Sequence, residues 1–374
     1  MRNCVFTQEM VQHSLISVGN TERILKAIHK ARCGEAVSLV YLGGSITEGA
    51  LAEPRETNCF AFLSAQIFRQ QFMSNPALLQ YHNAGISGTP SLLGITRCEQ
   101  DVLQHSPDIV FVEFAVNDSD EMKNKLAYES LIRKLLSSKT HPAVVLIFTR
   151  MEKGYTAQPH MQLIGQHYQL GMISVGNAIN PELENNHMQW SDYSSDYAHP
   201  TTEGHQFIAE MITHYFDTAL RTKAEPYIVP ETTVFGNELE SLHNIRKDDP
   251  RILDTGSFTY SEDRCYSYQN GWVHAENAPN HPVVFGVTGT HMTIAFKQEN
   301  DNQYGRAEVY VNDQCEVVLP GYSEKGWGNV VTELIAFHQP GKQNIQIKMH
   351  EEDCSKKFTL LDIAVVDATK KERD

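Results

Sequence analysis

The sequence predicts a three-layer α/β domain followed by an all-β sandwich. Three observations carry this expectation. Residues 1–222 alternate apolar strand-like runs with amphipathic helical stretches. Two of those runs, 108–114 (DIVFVEF) and 143–148 (AVVLIF), are almost continuously apolar, as in strands buried on both faces of a parallel sheet. Beyond residue 250 the pattern changes to short β-type runs between turn residues.

Taken in order, the first half offers five strands: 37–42 (VSLVYL), 80–83, 108–114, 143–148 and 172–175. Helical stretches lie between them. In residues 58–72, Phe60, Leu63, Ile67 and Phe68 form one apolar stripe, and in 121–136 Leu126, Leu131 and Leu135 do the same. A last helix over 203–220 follows the fifth strand at a distance. Thr201 or Thr202 would cap it, with Phe207, Met211, Ile212 and Tyr215 on its inner face.

A connector over residues 223–250 carries Pro226, Pro230 and Pro250. After it come seven β-type runs: 283–287, 292–297, 306–311, 315–319, 330–337, 344–349 and 358–366. Gly289, Asn312-Asp313, Pro320-Gly321 and Pro340-Gly341 read as the turns between them. Seven short strands at this spacing argue for a β-sandwich. The expected organisation is therefore a domain over 1–222, a linker over 223–250 and a sandwich over 251–374.

Composition narrows the function. At roughly 150 residues per domain, 374 residues suit two domains. The net charge of −15 disfavours a nucleic-acid partner, since phosphate backbones attract clustered Lys and Arg, and it disfavours acidic membrane surfaces. The first twenty residues are interrupted by Gln8, Glu9, Gln12 and His13 and do not form the apolar core of a signal peptide. No stretch approaches the roughly 20 apolar residues of a membrane span. Seven cysteines (4, 33, 59, 98, 265, 315 and 354) are scattered without a CxxC pair, which reads as free thiols in a reducing compartment and makes the cytoplasm the expected location. The oligomeric state is left open.

Four short segments bear chemistry. The first is Gly43-Gly44-Ser45-Ile46-Thr47-Glu48-Gly49, directly after the first strand. Ligands of open α/β sheets sit at the carboxyl ends of strands, which places Ser45 where catalysis is expected; a Gly-Gly-Ser turn alone is more often only a turn. GxxxxGK[ST], the phosphate-binding pattern, is absent. The second segment, residues 83–89, contains Gly88, whose N–H is a candidate donor to an oxyanion, although by itself the stretch reads as a loop. The third, Ala115-Val116-Asn117-Asp118, closes a buried strand; Asn117 either caps the next helix or points its amide into a site. The fourth is Asp196-Tyr197-Ala198-His199-Pro200. An acid and an imidazole at this spacing can pair, the carboxylate fixing the tautomer and the ring accepting a nucleophile's proton.

In this order and at these strand ends, the four segments resemble the four blocks of the SGNH, or GDSL-like, hydrolase superfamily in its GGSIT form. The resemblance covers about the first 220 residues and departs from the usual GxND block in having Ala115. It implies a flavodoxin-like sheet of order 2-1-3-4-5. It also implies a Ser45–His199–Asp196 triad, with an oxyanion hole from the N–H groups of Ser45 and Gly88 and the Asn117 side chain. The reaction implied is ester hydrolysis through an acyl-enzyme, without metal or organic cofactor. Seventeen histidines make a zinc hydrolase the rival, but HExxH is absent and His350-Glu351-Glu352-Asp353 does not supply it.

The order of domains is similar to that of carbohydrate esterase family 17. There a carbohydrate-binding module of the family 35 type folds over the SGNH site, and the substrate is acetylated β-mannan. The resemblance implies an acetylated oligosaccharide as substrate. Trp327, between Gly326 and Gly328, and Trp272, after Asn270-Gly271, are candidate sugar-stacking residues; the competing reading is an indole in the core of the sandwich. Two other functions stay open: a general short-chain carboxylesterase whose β domain serves only assembly, and a non-catalytic glycan-binding protein.

Overall fold

A computed structural model describes residues 5–262 and 271–367. Cys4 and Cys265 lie outside the described residues; Cys33, Cys59, Cys98, Cys315 and Cys354 are free thiols. The chain forms two compact units. The first comprises Met1–Gly94 and Cys98–Asn237; the second comprises Ile95–Arg97 and Glu238–Asp374. The division at Asn237 falls inside the proline-containing stretch over 223–250.

The first unit is built on a six-stranded sheet of β1 (Leu15–Ser17), β2 (Val37–Gly43), β3 (Leu79–Gly85), β4 (Ile109–Glu113), β5 (Ala143–Phe148) and β6 (Gly171–Ser174). Its order is β1-β6-β5-β4-β2-β3. The five strands β2 to β6 are parallel and have the order the resemblance implies. β1 was not visible in the sequence pattern: it is three residues long and adds antiparallel to β6 at the sheet edge. Every residue of β2, β4, β5 and β6 is buried, as strands covered by helices on both faces require. β3, at the opposite edge, is only partly covered.

The helices follow their apolar spacing. Glu22–Arg32 buries Ile24, Ala27, Ile28 and Ala31, one face at i, i+3, i+4 and i+7. Phe60–Phe72 begins slightly later than residue 58, because Arg55–Asn58 forms its own short turn. The last helix, Thr202–Ala219, is capped by Thr201, whose hydroxyl accepts from Gly204 N at 3.2 Å. Its Phe216 meets Phe68 edge-on at 5.5 Å between ring centroids, and Tyr41 of β2 stacks on Phe111 of β4 at 4.7 Å. This aromatic layer clamps the last helix and the Phe60–Phe72 helix to the centre of the sheet. The chain just before the last helix is thereby fixed at one end of the sheet.

Residues 223–237 are strapped to the first unit rather than hanging free. Glu129, fully buried in the Met122–Leu136 helix, accepts from the backbone N–H groups of Val234, Phe235 and Gly236 at 2.7, 2.6 and 3.0 Å, and from Tyr168 OH at 2.7 Å.

Among the described residues, the second unit forms a nine-stranded antiparallel sheet. Its strands are β7 (Leu242–Asn244), β8 (Ile252–Asp254), β9 (Phe258–Ser261), β10 (Gly271–His274), β11 (Val283–Gln298), β12 (Arg306–Val311), β13 (Gln314–Pro320), β14 (Asn329–Met349) and β15 (Phe358–Asp367). The main path is β13-β12-β14-β11-β15-β10-β9, with β7 on β15 and β8 on β11. Two turns expected from glycine are not turns. Gly289 lies within one continuous strand, β11, at a register shift between Gly289 and His291; Gly341, opposite it, lies within β14. The bulge reverses the alternation: Val283, Phe285 and Val287 before it and Met292, Ile294 and Phe296 after it enter the same core. The strand therefore bends around one hydrophobic centre, and the two strands expected on either side of Gly289 are a single one. Asn312-Asp313 is a turn, with both residues at positive φ, 49° and 68°, between β12 and β13.

Candidate active site

β2 delivers the first residue of the site. It ends at Gly43, and the chain turns through Gly44 into the short helical turn Ser45–Glu48. Gly44 has no room for a side chain, because a Cβ there would lie 2.3 Å from Asn117 Oδ1. That contact places the Asn117 amide, from the turn after β4, against the residue preceding Ser45. Asn117 and Asp118 are held in this turn by N–H bonds to Phe114 O, each 3.0 Å. Asn117 Oδ1 is buried and accepts no hydrogen bond.

Ser45 Oγ lies 2.8 Å from His199 Nε2, and His199 Nδ1 lies 2.7 Å from Asp196 Oδ2. With the carboxylate accepting a hydrogen bond from Nδ1–H, Nε2 is left as the acceptor for the serine hydroxyl. Asp196 Oδ1 accepts from the N–H groups of Ala198 and His199, both at 2.7 Å, and lies 3.2 Å from Ser194 Oγ. Burial alone would raise the Asp196 pKa; the His199 ring and these N–H donors outweigh it and hold the carboxyl below its ordinary value. The loop is pinned further by Trp190 Nε1, which donates to Asp196 O at 2.5 Å, and by Glu152 N, which donates to Tyr197 O at 2.8 Å. Ser45 is buried, whereas Tyr197 is 61% exposed with its ring 6.2 Å from that of His199.

Gly88 sits in the loop after β3 with φ of 73°, a left-handed conformation that disfavours any residue with a Cβ. The loop is bonded back to the nucleophile strand by Ile86 N to Gly43 O at 3.1 Å. The four segments singled out in the sequence thus converge on one place.

Three residues that sequence reasoning passed over also belong here. Glu113, the last residue of β4, is buried beneath the Ser45 turn and accepts from Thr47 Oγ1 at 3.2 Å and Thr149 Oγ1 at 2.6 Å. Burial raises its pKa against those two hydroxyl bonds. Glu48 accepts from Ser87 N at 2.8 Å and from Ser87 Oγ, and Arg55 holds its other oxygen at 2.9 Å. Asp118 Oδ1 accepts from Ser91 N at 2.7 Å. Glu48 and Asp118 lie inside the recognised segments, but nothing in a one-dimensional pattern shows which loop a carboxylate will reach.

The tryptophans separate. Trp272 is 7% exposed, lies in β10 between β9 and β15, and meets Tyr260 edge-on at 5.2 Å within the core. It offers no face to a sugar, which corrects its assignment as a substrate-binding residue: the valine-and-aromatic strand around it outweighs the neighbouring Asn-Gly. Trp327 is 47% exposed. Among the described residues no group of three or more His, Cys, Asp or Glu side chains is arranged to hold a metal ion, and no helix is long and apolar enough to cross a membrane.

The sheet, the serine at the end of its first parallel strand and the imidazole brought to it define a serine ester hydrolase. Residues 41–207 match the model of the GDSL-like lipase/acylhydrolase family. The likeness to solved structures extends through both units. The chain matches the crystal structure of a two-domain esterase active on acetylated mannans, co-crystallised with mannopentaose, at 26% identity and a TM-score of 0.84, covering 96% of this chain and 98% of that one. A second crystal structure of a two-domain esterase active on acetylated mannans matches at 26% identity and a TM-score of 0.83, with the same coverage. No curated protein sequence matches the chain.

Proposed function

We propose that the protein is a carbohydrate O-acetylesterase that removes acetyl groups from β-mannan-derived oligosaccharides by a Ser45–His199–Asp196 mechanism. The observation that carries the substrate class is the likeness, over 96% of the chain, to a two-domain esterase active on acetylated mannans. The observation that supports the mechanism is the hydrogen-bonded line from Ser45 Oγ through His199 to Asp196.

In this reading Ser45 Oγ attacks the acetyl carbonyl carbon while His199 Nε2 takes its proton. The tetrahedral oxyanion is met by the N–H groups of Ser45 and Gly88 and by the Asn117 amide, a donor of this kind being worth about 3–4 kcal/mol. The intermediate collapses, the sugar oxygen leaves with the proton from His199, and acetyl-Ser45 remains. Water then attacks, gives its proton to His199, and acetate departs as Ser45 recovers its hydrogen. Asp196 holds the ring tautomer throughout and stabilises the imidazolium. Metal ions and organic cofactors have no part in this route.

The second unit serves as a carbohydrate-binding module in this reading, with Trp327 as its exposed stacking face. The five free thiols among the described residues support a reducing location, the cytoplasm, where short oligosaccharides rather than polymers would be the substrates.

The test is acetate release, read by mass spectrometry, from acetylated manno-oligosaccharides, acetylated xylo-oligosaccharides and p-nitrophenyl acetate. Ser45→Ala abolishes release while leaving the fold intact; substantial residual turnover sinks the mechanism. Preference for the manno-series, lost in Trp327→Ala while p-nitrophenyl acetate turnover persists, supports the substrate and the role of the second unit. Equal rates on all three substrates identify a general short-chain esterase instead.

A further inference from the structure

We propose that Glu48 and Asp118 are positioning residues that suspend the Gly88 loop between the nucleophile turn and the Asn117 turn, and so set the geometry of the oxyanion donors. The proposal rests on the esterase reading above and adds to it the parts that hold its electrostatic centre in place.

Each carboxylate is attached to one half of the machinery and grips the other. Glu48 closes the same short helical turn that Ser45 opens, and its Oε2 accepts both the N–H and the hydroxyl of Ser87, the residue before Gly88. Asp118 directly follows Asn117, and its Oδ1 accepts from Ser91 N on the far side of Gly88. Within the loop Thr89 Oγ1 donates to Ile86 O at 2.7 Å, and Ile86 N is bonded to Gly43 O. The loop therefore cannot shift toward or away from Ser45 without breaking a bond to Glu48, or relative to Asn117 without breaking one to Asp118. Oxyanion donors act only when aimed at the position the charge will occupy, and a misplacement near 1 Å costs on the order of 100-fold in rate.

The cost of Asp118 points the same way. Its side chain is buried, its Oδ2 makes no hydrogen bond, and the hydroxyl of nearby Tyr128 is also buried without one. Burial pushes the Asp118 carboxyl up to about 7, against the bond from Ser91. A half-satisfied acid in an apolar interior destabilises a fold, so its service to stability is poor and its grip on Ser91 is the feature that explains it. Glu48 differs in being steadied by Arg55 at the surface.

The experiment compares Glu48→Ala and Asp118→Ala with Glu48→Gln and Asp118→Asn, each alone and combined with Asn117→Ala, using p-nitrophenyl acetate and acetylated manno-oligosaccharides. Expected for the alanine variants is a fall in kcat of about 10- to 100-fold with KM within about threefold and unchanged circular dichroism. Asp118→Asn, whose amide oxygen can still accept from Ser91, recovers most of the loss. The total defect of the Glu48→Ala/Asn117→Ala double variant is smaller than the product of the two single effects, since both act on one oxyanion. The proposal is overturned if the alanine variants keep kcat within twofold of the parent, if their activity falls only in step with the folded fraction, or if their effects multiply fully with Asn117→Ala. Failure of the esterase reading has a separate signature, turnover surviving in Ser45→Ala. Should Glu48→Ala not fold, Glu48→Gln, which keeps one acceptor for two donors, is read by the same kcat-against-KM criterion.

Discussion

His205 Nε2 lies 3.0 Å from the carbonyl oxygen of Ala50, so the helix that follows His199 is bonded to the chain that follows Ser45. The other ring nitrogen, Nδ1, accepts from Phe60 N at 3.2 Å, which fixes the proton on Nε2 and makes the ring neutral. The two halves of the Ser45–His199 pair are thus tied together by a second histidine that touches neither.

That bond predicts an acid-sensitive fold. Burial lowers the His205 pKa from 6.5 to about 4, with the Ala50 bond opposing. The unfolded chain therefore binds the proton more readily between those values. The contribution of neutral His205, on the order of 3 kcal/mol, is complete above pH 6.5 and is lost as pH falls toward 4. In His205→Gln, whose amide can serve both bonds without titrating, the melting temperature should decline less steeply between pH 6.5 and 4.5. Parallel curves for the two proteins would refute the assignment.

Asp196→Asn should preserve the loop and lose the chemistry. The asparagine oxygen can still accept from Ala198 N and His199 N, but its amide hydrogens then face His199 Nδ1 and impose the wrong tautomer. A kcat loss on the order of 10⁴ is expected, with little change in KM or melting temperature. A loss below tenfold would show that Asp196 does not set the ring.

Gly88→Ala tests the loop at its conformationally demanding point. At φ of 73° an alanine is disfavoured by about 1–2 kcal/mol. The variant should either lose that much stability in a denaturant titration or relax the loop and lose kcat by more than tenfold, while KM changes little. Retention of both stability and kcat would mean that the left-handed backbone is not needed.

The segments that meet at the candidate site were more legible in the sequence than the architecture around them. Ser45, Asn117, Asp196 and His199 lie in short local patterns at strand ends, and parallel strands as apolar as β4 and β5 announce themselves. Gly289 misled because a glycine in a bulge and a glycine in a turn look alike in one dimension; only pairing with Gly341 across the sheet distinguishes them. Trp272 misled because the next residues along the chain did not reveal Tyr260 and Leu360 on the flanking strands. The grips of Glu48 on Ser87, Asp118 on Ser91 and Glu129 on Phe235 are long-range bonds between loops, which no periodicity encodes.

Glu129→Gln should release the strap over residues 234–236. The carboxylate accepts three successive backbone N–H groups, and an amide nitrogen turned toward any of them is repelled. Loss of about 2–3 kcal/mol is expected for a buried charged acceptor, with new protease cleavage within 223–237. Unchanged cleavage kinetics would show that other contacts hold this stretch.

The two tryptophans should part company in stability as they do in exposure. Trp272 packs against Tyr260 in the core, so Trp272→Ala leaves a large cavity and should cost about 3–5 kcal/mol. Trp327 is 47% exposed, and Trp327→Ala should cost less than about 1 kcal/mol. Equilibrium urea unfolding, followed by the second unit's tryptophan fluorescence in one variant and by circular dichroism in both, separates the cases. The contrast matters for the glycan assay: a selective loss of manno-oligosaccharide activity in Trp327→Ala can be assigned to the indole face only if that variant is as stable as its parent, whereas the same loss in Trp272→Ala would report a damaged core. Equal destabilisation by the two substitutions would overturn the division between a structural and an exposed tryptophan.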